Sequence, residues 1–96
     1  MATAEASVVL DNKMGLHARP STQIATIAGR YDCDVRISKD GLEVDAKSVL
    51  ELLMLAAECG SELVISADGP NAEAAVEELK EIIENGFGEH EVDAED

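Results

Sequence analysis

The pattern of these 96 residues predicts an α/β domain of the α+β kind. The expected architecture is an open-faced sandwich of order βαββαβα, a four-stranded antiparallel sheet with three helices packed on one face. Three observations carry this. Residues 33–38 and 42–47 alternate apolar and polar side chains around an Asp40-Gly41 turn, the signature of a hairpin. Other segments repeat apolar residues at helical spacing. The strands keep one face polar, so the helices are expected on the other.

In chain order, residues 6–11 (ASVVLD) read as the first strand, followed by a loop, NKMGL, punctuated by Gly15. Ile24, Ile27, Ala28 and Tyr31 fall at i, i+3, i+4 and i+7, one stripe of a helix. Pro20 fits that helix only in its first turn, where a missing N–H costs nothing, so the helix starts at His17 or Ala18. Gly29 is its expected stop. Cys33, Val35 and Ile37 then alternate with Asp34, Arg36 and Ser38; Leu42, Val44 and Ala46 alternate with Glu43, Asp45 and Lys47. Ser48 and Glu51 form an S-x-x-E capping box that opens a second helix. Val49, Leu52, Leu53 and Ala56 make its inner stripe, Leu50 and Met54 fall off it, and Gly60 ends the segment. Residues 62–67 (ELVISA) are a fourth strand, closed by Asp68-Gly69-Pro70. Asn71 caps a last helix with Ala72, Ala75, Val76, Leu79, Ile82 and Ile83 on one face, and Asn85-Gly86 terminates it. There is no internal repeat and no linker, so residues 1–86 are expected to form one domain. Residues 87–96, acidic or small, are expected to be a frayed tail.

Composition excludes several functions. Lys plus Arg is 7 and Asp plus Glu is 21, a net charge of −14. Phosphate-backbone recognition needs a basic surface, so a nucleic-acid partner is not expected. Tyr31 and Phe87 are the only aromatic residues, too few for a base-stacking platform. No apolar run reaches the roughly 18 residues of a membrane span, and MATAEAS lacks the basic flank and apolar run of a secretory signal. Cys33 and Cys59 form no CxxC pair and are too few for a zinc site; both are expected buried, in a reducing, cytoplasmic compartment. No metal and no cofactor is expected. The charge is lopsided: residues 1–47 hold six bases against seven acids, residues 48–96 one base against fourteen acids. The first half can meet an anion without a large repulsive field, and the second serves solubility.

The chemistry concentrates in Gly15-Leu16-His17-Ala18-Arg19-Pro20. The glycine lets the chain turn close to a ligand. The histidine stands at a helix start, where free N–H groups carry partial positive charge. That charge favours a neutral, nucleophilic imidazole, and the same N–H groups accept phosphate oxygens. Arg19 adds a positive fork for the same anion. Together these suit a transient phosphoryl acceptor, because phosphoryl transfer asks a protein mostly for positioning and charge stabilisation.

GLHARP, followed by the CDVRISKDGLEVDA hairpin and then KSVLELLMLA, resembles HPr, the phosphocarrier family of the bacterial phosphoenolpyruvate-dependent sugar phosphotransferase system. The resemblance runs from about Ala6 to Gly86. It implies that His17 accepts a phosphoryl group on Nδ1 from phosphorylated enzyme I. His17 then passes it to a histidine of a sugar-specific enzyme II A-type unit. Arg19 would assist transfer, while Gly15, Ala18 and Pro20 would shape the phosphate cradle with Leu16. Ser48 falls where some members carry a regulatory phosphoserine added by an ATP-dependent kinase. Here Glu51 departs from the family's usual glycine, and its charge in the first turn would repel a phosphate on Ser48. Leu50 and Met54 would form an apolar docking patch, with Arg19, Arg30 and Lys47 as its basic rim. Such a chain is a monomer, and a substrate of enzymes rather than an enzyme with its own turnover.

Other readings compete. A regulatory, nitrogen-related branch of the system uses the same carrier chemistry without sugar uptake. An acyl-carrier-like protein is also small and acidic, with a modified serine at a helix start, but it is a helical bundle, which the hairpin of residues 33–47 argues against. A non-catalytic interaction module would have no need of both His17 and Arg19. His90, in GEHEVDAED, is read as a solvated tail residue.

Overall fold

In the computed structural model, which describes residues 3–88, Asp40 and Gly41 both hold positive φ (53° and 89°). A two-residue I′ hairpin turn demands this at both positions. Around it pair β2 (Asp34–Lys39) and β3 (Leu42–Asp45). The remaining elements are β1 (Thr3–Val9), α1 (Ala18–Ala28), α2 (Val49–Met54), β4 (Glu62–Asp68) and α3 (Ala72–Glu84), with a short 3₁₀ turn over Gly86–Gly88. The order is the one anticipated. The sheet runs β1-β4-β2-β3, antiparallel at every pairing, with Thr3 opposite Asp68 and Ile37 opposite Ile65. A four-stranded sheet of this kind disposes of the acyl-carrier bundle.

Alternation decides which face is dry. Val8, Val35, Ile37, Val44, Leu63, Ile65 and Ala67 point to the helices and are buried, whereas Glu5, Arg36 and Glu43 point to water. α3 lies over β1 and β4 with Ala72, Ala75, Val76, Leu79 and Ile83 buried. α1 packs beside it through Ile24, Ile27 and Ala28, and α2 closes the layer against α1 and β3 through Leu52. An exposed network fixes the far end of α1. The Tyr31 hydroxyl donates to Glu78 of α3 at 2.6 Å, and Arg30 pairs with the same carboxylate at 3.3 Å.

Several details differ from the sequence reading, each for a local reason. β1 starts at Thr3, earlier than expected, because the small Ala4 and Ala6 fill inward positions that periodicity of large residues does not mark. β3 ends at Asp45, although Ala46 stays buried with its amide donating to the Val35 carbonyl. α2 is only six residues long, and Leu55, not Leu53 or Ala56, packs inward with Leu52. The left-handed Ala56 (φ 49°) turns the chain there, well before Gly60. Gly29 keeps right-handed angles, so α1 ends in a tightening turn rather than a left-handed glycine cap. Asn71 makes no side-chain cap bond; it supplies the left-handed backbone (φ 63°) that asparagine tolerates. Cys33 is buried as expected, but Cys59 is exposed in the turn before β4. Phe87, assigned to the tail, is buried against the core cluster. His90 and the remainder of the tail lie outside the described residues.

Candidate functional site

Extended backbone angles at His17 (φ −96°, ψ −167°) make it the N-cap of α1. Its carbonyl accepts the first helical hydrogen bond, from the Ser21 amide at 3.0 Å. Pro20 follows as the third helical residue and has no N–H to offer. The amides of Ala18 and Arg19 therefore precede the first closed turn and have no intrahelical carbonyl. They face out of the helix end, where the helix dipole gathers positive charge. The His17 ring is half-buried, and its Nε2 is closed off from solvent, so the accessible edge of the ring excludes that nitrogen. Ala18 and Arg19 are exposed and Pro20 is buried. Among the described residues no carboxylate pairs with the Arg19 guanidinium, which leaves its fork open to an anion.

The loop that presents His17 is held on two sides. Gly15 takes a left-handed φ of 74°, and a Cβ placed on it would stand 2.5 Å from the Ala57 carbonyl oxygen. That contact excludes any side chain and assigns Gly15 to close packing against the irregular segment after α2. The neighbouring Leu16 amide donates to the same Ala57 carbonyl at 2.9 Å. From the other side, the buried Asn12 donates through Nδ2 to the Gly15 carbonyl at 2.7 Å.

α2 connects this loop to Ser48. The Ser48 hydroxyl accepts from the Glu51 amide at 3.2 Å, as the capping box anticipates. The Glu51 carboxylate does not return to Ser48; it accepts from the Asp45 amide at 2.9 Å. Leu50 and Met54 are 75% and 68% exposed, and Leu53 joins them at 37%. They make an apolar ridge leading from Ser48 to the segment that touches Gly15. Met14, 67% exposed in the histidine loop, adds to the apolar surface. Lys47 stands elsewhere. Its Nζ donates to the Tyr31 carbonyl at 2.8 Å, just past the C-terminal end of α1. An 11-residue helix is roughly 16 Å long, so Lys47 is separated from His17 by the length of α1.

Asn12, Met14, Leu53 and Ala57 were missed by sequence reasoning. A long apolar residue in a loop beside Gly15 was a readable signal for Met14; the Asn12 contact spans only three residues and is a local turn left unread, while that of Ala57 is non-local and left no signal. A concavity of about 830 Å³ on the solvent face of the sheet includes neither His17 nor any residue of α1 or α2. It is lined mainly by carboxylates and Arg36, so the chemistry and this hollow do not coincide. The histidine instead sits at a surface that a partner protein can reach.

Comparison with known proteins agrees with this geometry. Residues 4–85 match the family model described as the PTS HPr component phosphorylation site. The phosphocarrier protein HPr of Cupriavidus necator is 44% identical over 80 residues, covering 83% of this chain and 90% of that protein. Among solved structures, HPr from Bacillus anthracis superposes with a TM-score of 0.82 at 36% identity, covering 86% of this chain and 99% of that one. HPr-C-His from Thermoanaerobacter tengcongensis gives 0.87 at 33% identity, covering 91% and 98%. Fold, family model and relatives converge: this chain belongs to the HPr family, the phosphocarriers of the phosphotransferase system.

Proposed function

We propose that this chain accepts a phosphoryl group on His17 Nδ1 from phosphorylated enzyme I and passes it to a histidine of an enzyme II A-type unit, in sugar uptake or its regulation. The observation that carries the reading is the placement of His17 as the N-cap of α1. There the residue directly precedes two amides without intrahelical partners and stands two residues before the Arg19 guanidinium. The closure of Nε2 supports Nδ1 as the accepting atom.

In the transfer, Nδ1 attacks phosphorus as the bond to the donor histidine breaks. The amides of Ala18 and Arg19 and the guanidinium stabilise the charge spread over the equatorial oxygens. Reversal of the same geometry hands the group on. Pro20 keeps the helix start free of a competing donor, and Gly15 keeps the loop seated. Leu50 and Met54, with Leu53, serve as the apolar contact for both partners. Lys47 belongs to a rim at the far end of α1, with Arg30. Ser48 serves as the α2 cap. A phosphoryl group on its oxygen would stand in the same first turn as the Glu51 carboxylate and place two anions together, so a serine kinase finds a poor substrate here. The chain works in the cytoplasm as a monomer.

The test is phosphoryl transfer from phosphoenolpyruvate through enzyme I. The wild-type chain and Ser48→Ala should both gain one phosphoryl group, and His17→Ala should gain none. Phosphorylation that persists in His17→Ala would overturn the reading.

A further inference from the structure

We propose that Asn12 is a positioning residue for the phosphoryl-accepting histidine, acting through the Gly15 carbonyl. This deepens the proposed function and rests on it. Asn12 is fully buried, and apart from Ser21 it is the only buried polar residue among those described. Burying an amide is costly unless its hydrogen bonds are met. Its Nδ2 meets the Gly15 carbonyl oxygen at 2.7 Å, while its own backbone carbonyl accepts from the Gly15 amide at 3.1 Å.

The Gly15 carbonyl is the point where the loop and the histidine join. It also accepts from the His17 amide at 3.0 Å. A carbonyl oxygen has two lone pairs, so one oxygen holds both donors, one from the Asn12 side chain and one from the His17 main chain. His17 has no side-chain cap bond to set its backbone. The His17 carbonyl is held on the helix side by the Ser21 amide, so the Gly15 carbonyl sets the loop side of the residue, and Asn12 holds that carbonyl. The opposite wall is fixed by the Leu16 amide on Ala57. With the Asn12 donor removed, the Gly15–Leu16 peptide keeps one anchor of two. It can then rotate and carry His17 away from the Ala18 and Arg19 amides. Asn12 lies too deep to touch a partner, so its effect falls on transfer rather than on docking.

The experiment compares Asn12→Asp, close in shape but lacking the donor, and Asn12→Ser with Ile24→Val, a buried change in α1 away from the loop. Amide and imidazole NMR signals of His17 are read first, with no partner present. They should move in both Asn12 variants and stay in Ile24→Val. Transfer from phosphorylated enzyme I is read next. The maximal rate should fall on the order of tenfold to a hundredfold, the usual effect of displacing a reacting group by about 1 Å, with the half-saturating concentration nearly unchanged. Unmoved His17 signals, or a rate loss that tracks only the folded fraction as in Ile24→Val, would overturn the proposal. If neither Asn12 variant folds, the wild-type chain decides. The Asn12 side-chain amide signal should follow the titration of the His17 ring, and a signal that ignores it refutes the coupling. A wild-type chain that accepts no phosphoryl group would defeat the proposed function, while the partner-free signals would still settle the role of Asn12.

Discussion

Replacing Gly15 by alanine should cost far more than its single methyl implies. Two separate terms act. The left-handed φ of 74° is disfavoured for any residue with a Cβ, by about 1–2 kcal/mol. The new methyl would also stand 2.5 Å from the Ala57 carbonyl oxygen and 3.2 Å from the Glu58 Cα, both backbone atoms that cannot swing aside. Overpacking of that kind costs typically about 1–3 kcal/mol. The sum, about 2–5 kcal/mol, is a large share of the roughly 5–15 kcal/mol that holds a small domain together. Gly41 and Gly60 supply the internal control. Both have positive φ (89° and 95°), yet a Cβ on either meets nothing within 4 Å. Their alanine variants should show only the backbone term. Thermal and urea unfolding of the three variants measures the difference. At roughly 4–8 °C per kcal/mol for a domain of this size, Gly15→Ala should melt at least several degrees below the other two. Equal melting temperatures would refute the steric account of Gly15 and return it to the phosphate cradle that the sequence suggested.

The exposed ridge on α2 separates docking from folding. Leu50→Ser with Met54→Ser should change stability by no more than about 0.5 kcal/mol at each site, since neither side chain is buried. The same pair should raise the enzyme I concentration needed for half-maximal transfer by about tenfold, in line with the loss of an apolar anchor. Titration at high pH tests the contact between α1 and α3. The hydrogen bond to Glu78 raises the Tyr31 pKa above its ordinary 10.0, with burial and the Glu78 charge adding to it. Because the folded value is the higher one, the stabilisation is complete below the unfolded tyrosine value. It is lost as pH rises through the folded one. Stability of the wild-type chain should thus fall more steeply than that of Tyr31→Phe above about pH 10, read by urea unfolding across that range.

Most of the architecture was legible because it depends on local signals. The hairpin of residues 33–47 rests on alternation plus Asp40-Gly41, both contiguous in sequence, and the start of α1 follows from Pro20 alone. α2 was harder. Its six residues are too few for a stripe to declare itself, so Leu53 and Leu55 could not be told apart by period. The chain turns at Ala56, where a non-glycine residue holds φ of 49°. No sequence rule marks an alanine for that position; surrounding contacts impose it. Phe87 shows the same limit, since an acidic, glycine-rich context read as tail while one aromatic ring found room on the core.

At the site, His17 and Arg19 were readable because their spacing from Pro20 places them at a helix end whatever the rest of the fold does. The exposure of Leu50 and Met54 also matched their fall off the inner stripe. Lys47 did not join the histidine. It was read as part of a basic rim with Arg19 and Arg30, but its Nζ reaches the Tyr31 carbonyl, past the C-terminal end of α1. The supports of the histidine loop were missed for two reasons. Ala57 acts through a main-chain carbonyl that the fold brings to Leu16, and a backbone acceptor has no sequence signature. Asn12 acts through its side-chain amide on the carbonyl of Gly15, three residues on, a local turn that the spacing of N-x-x-G could have shown.

The most direct measurement is the position of phosphorus on the charged carrier, read by phosphorus-coupled NMR after incubation with phosphoenolpyruvate and enzyme I. One acid-labile phosphoryl group on Nδ1 of His17 is the predicted result. A group on Nε2, on Ser48, or on no residue at all would contradict the account.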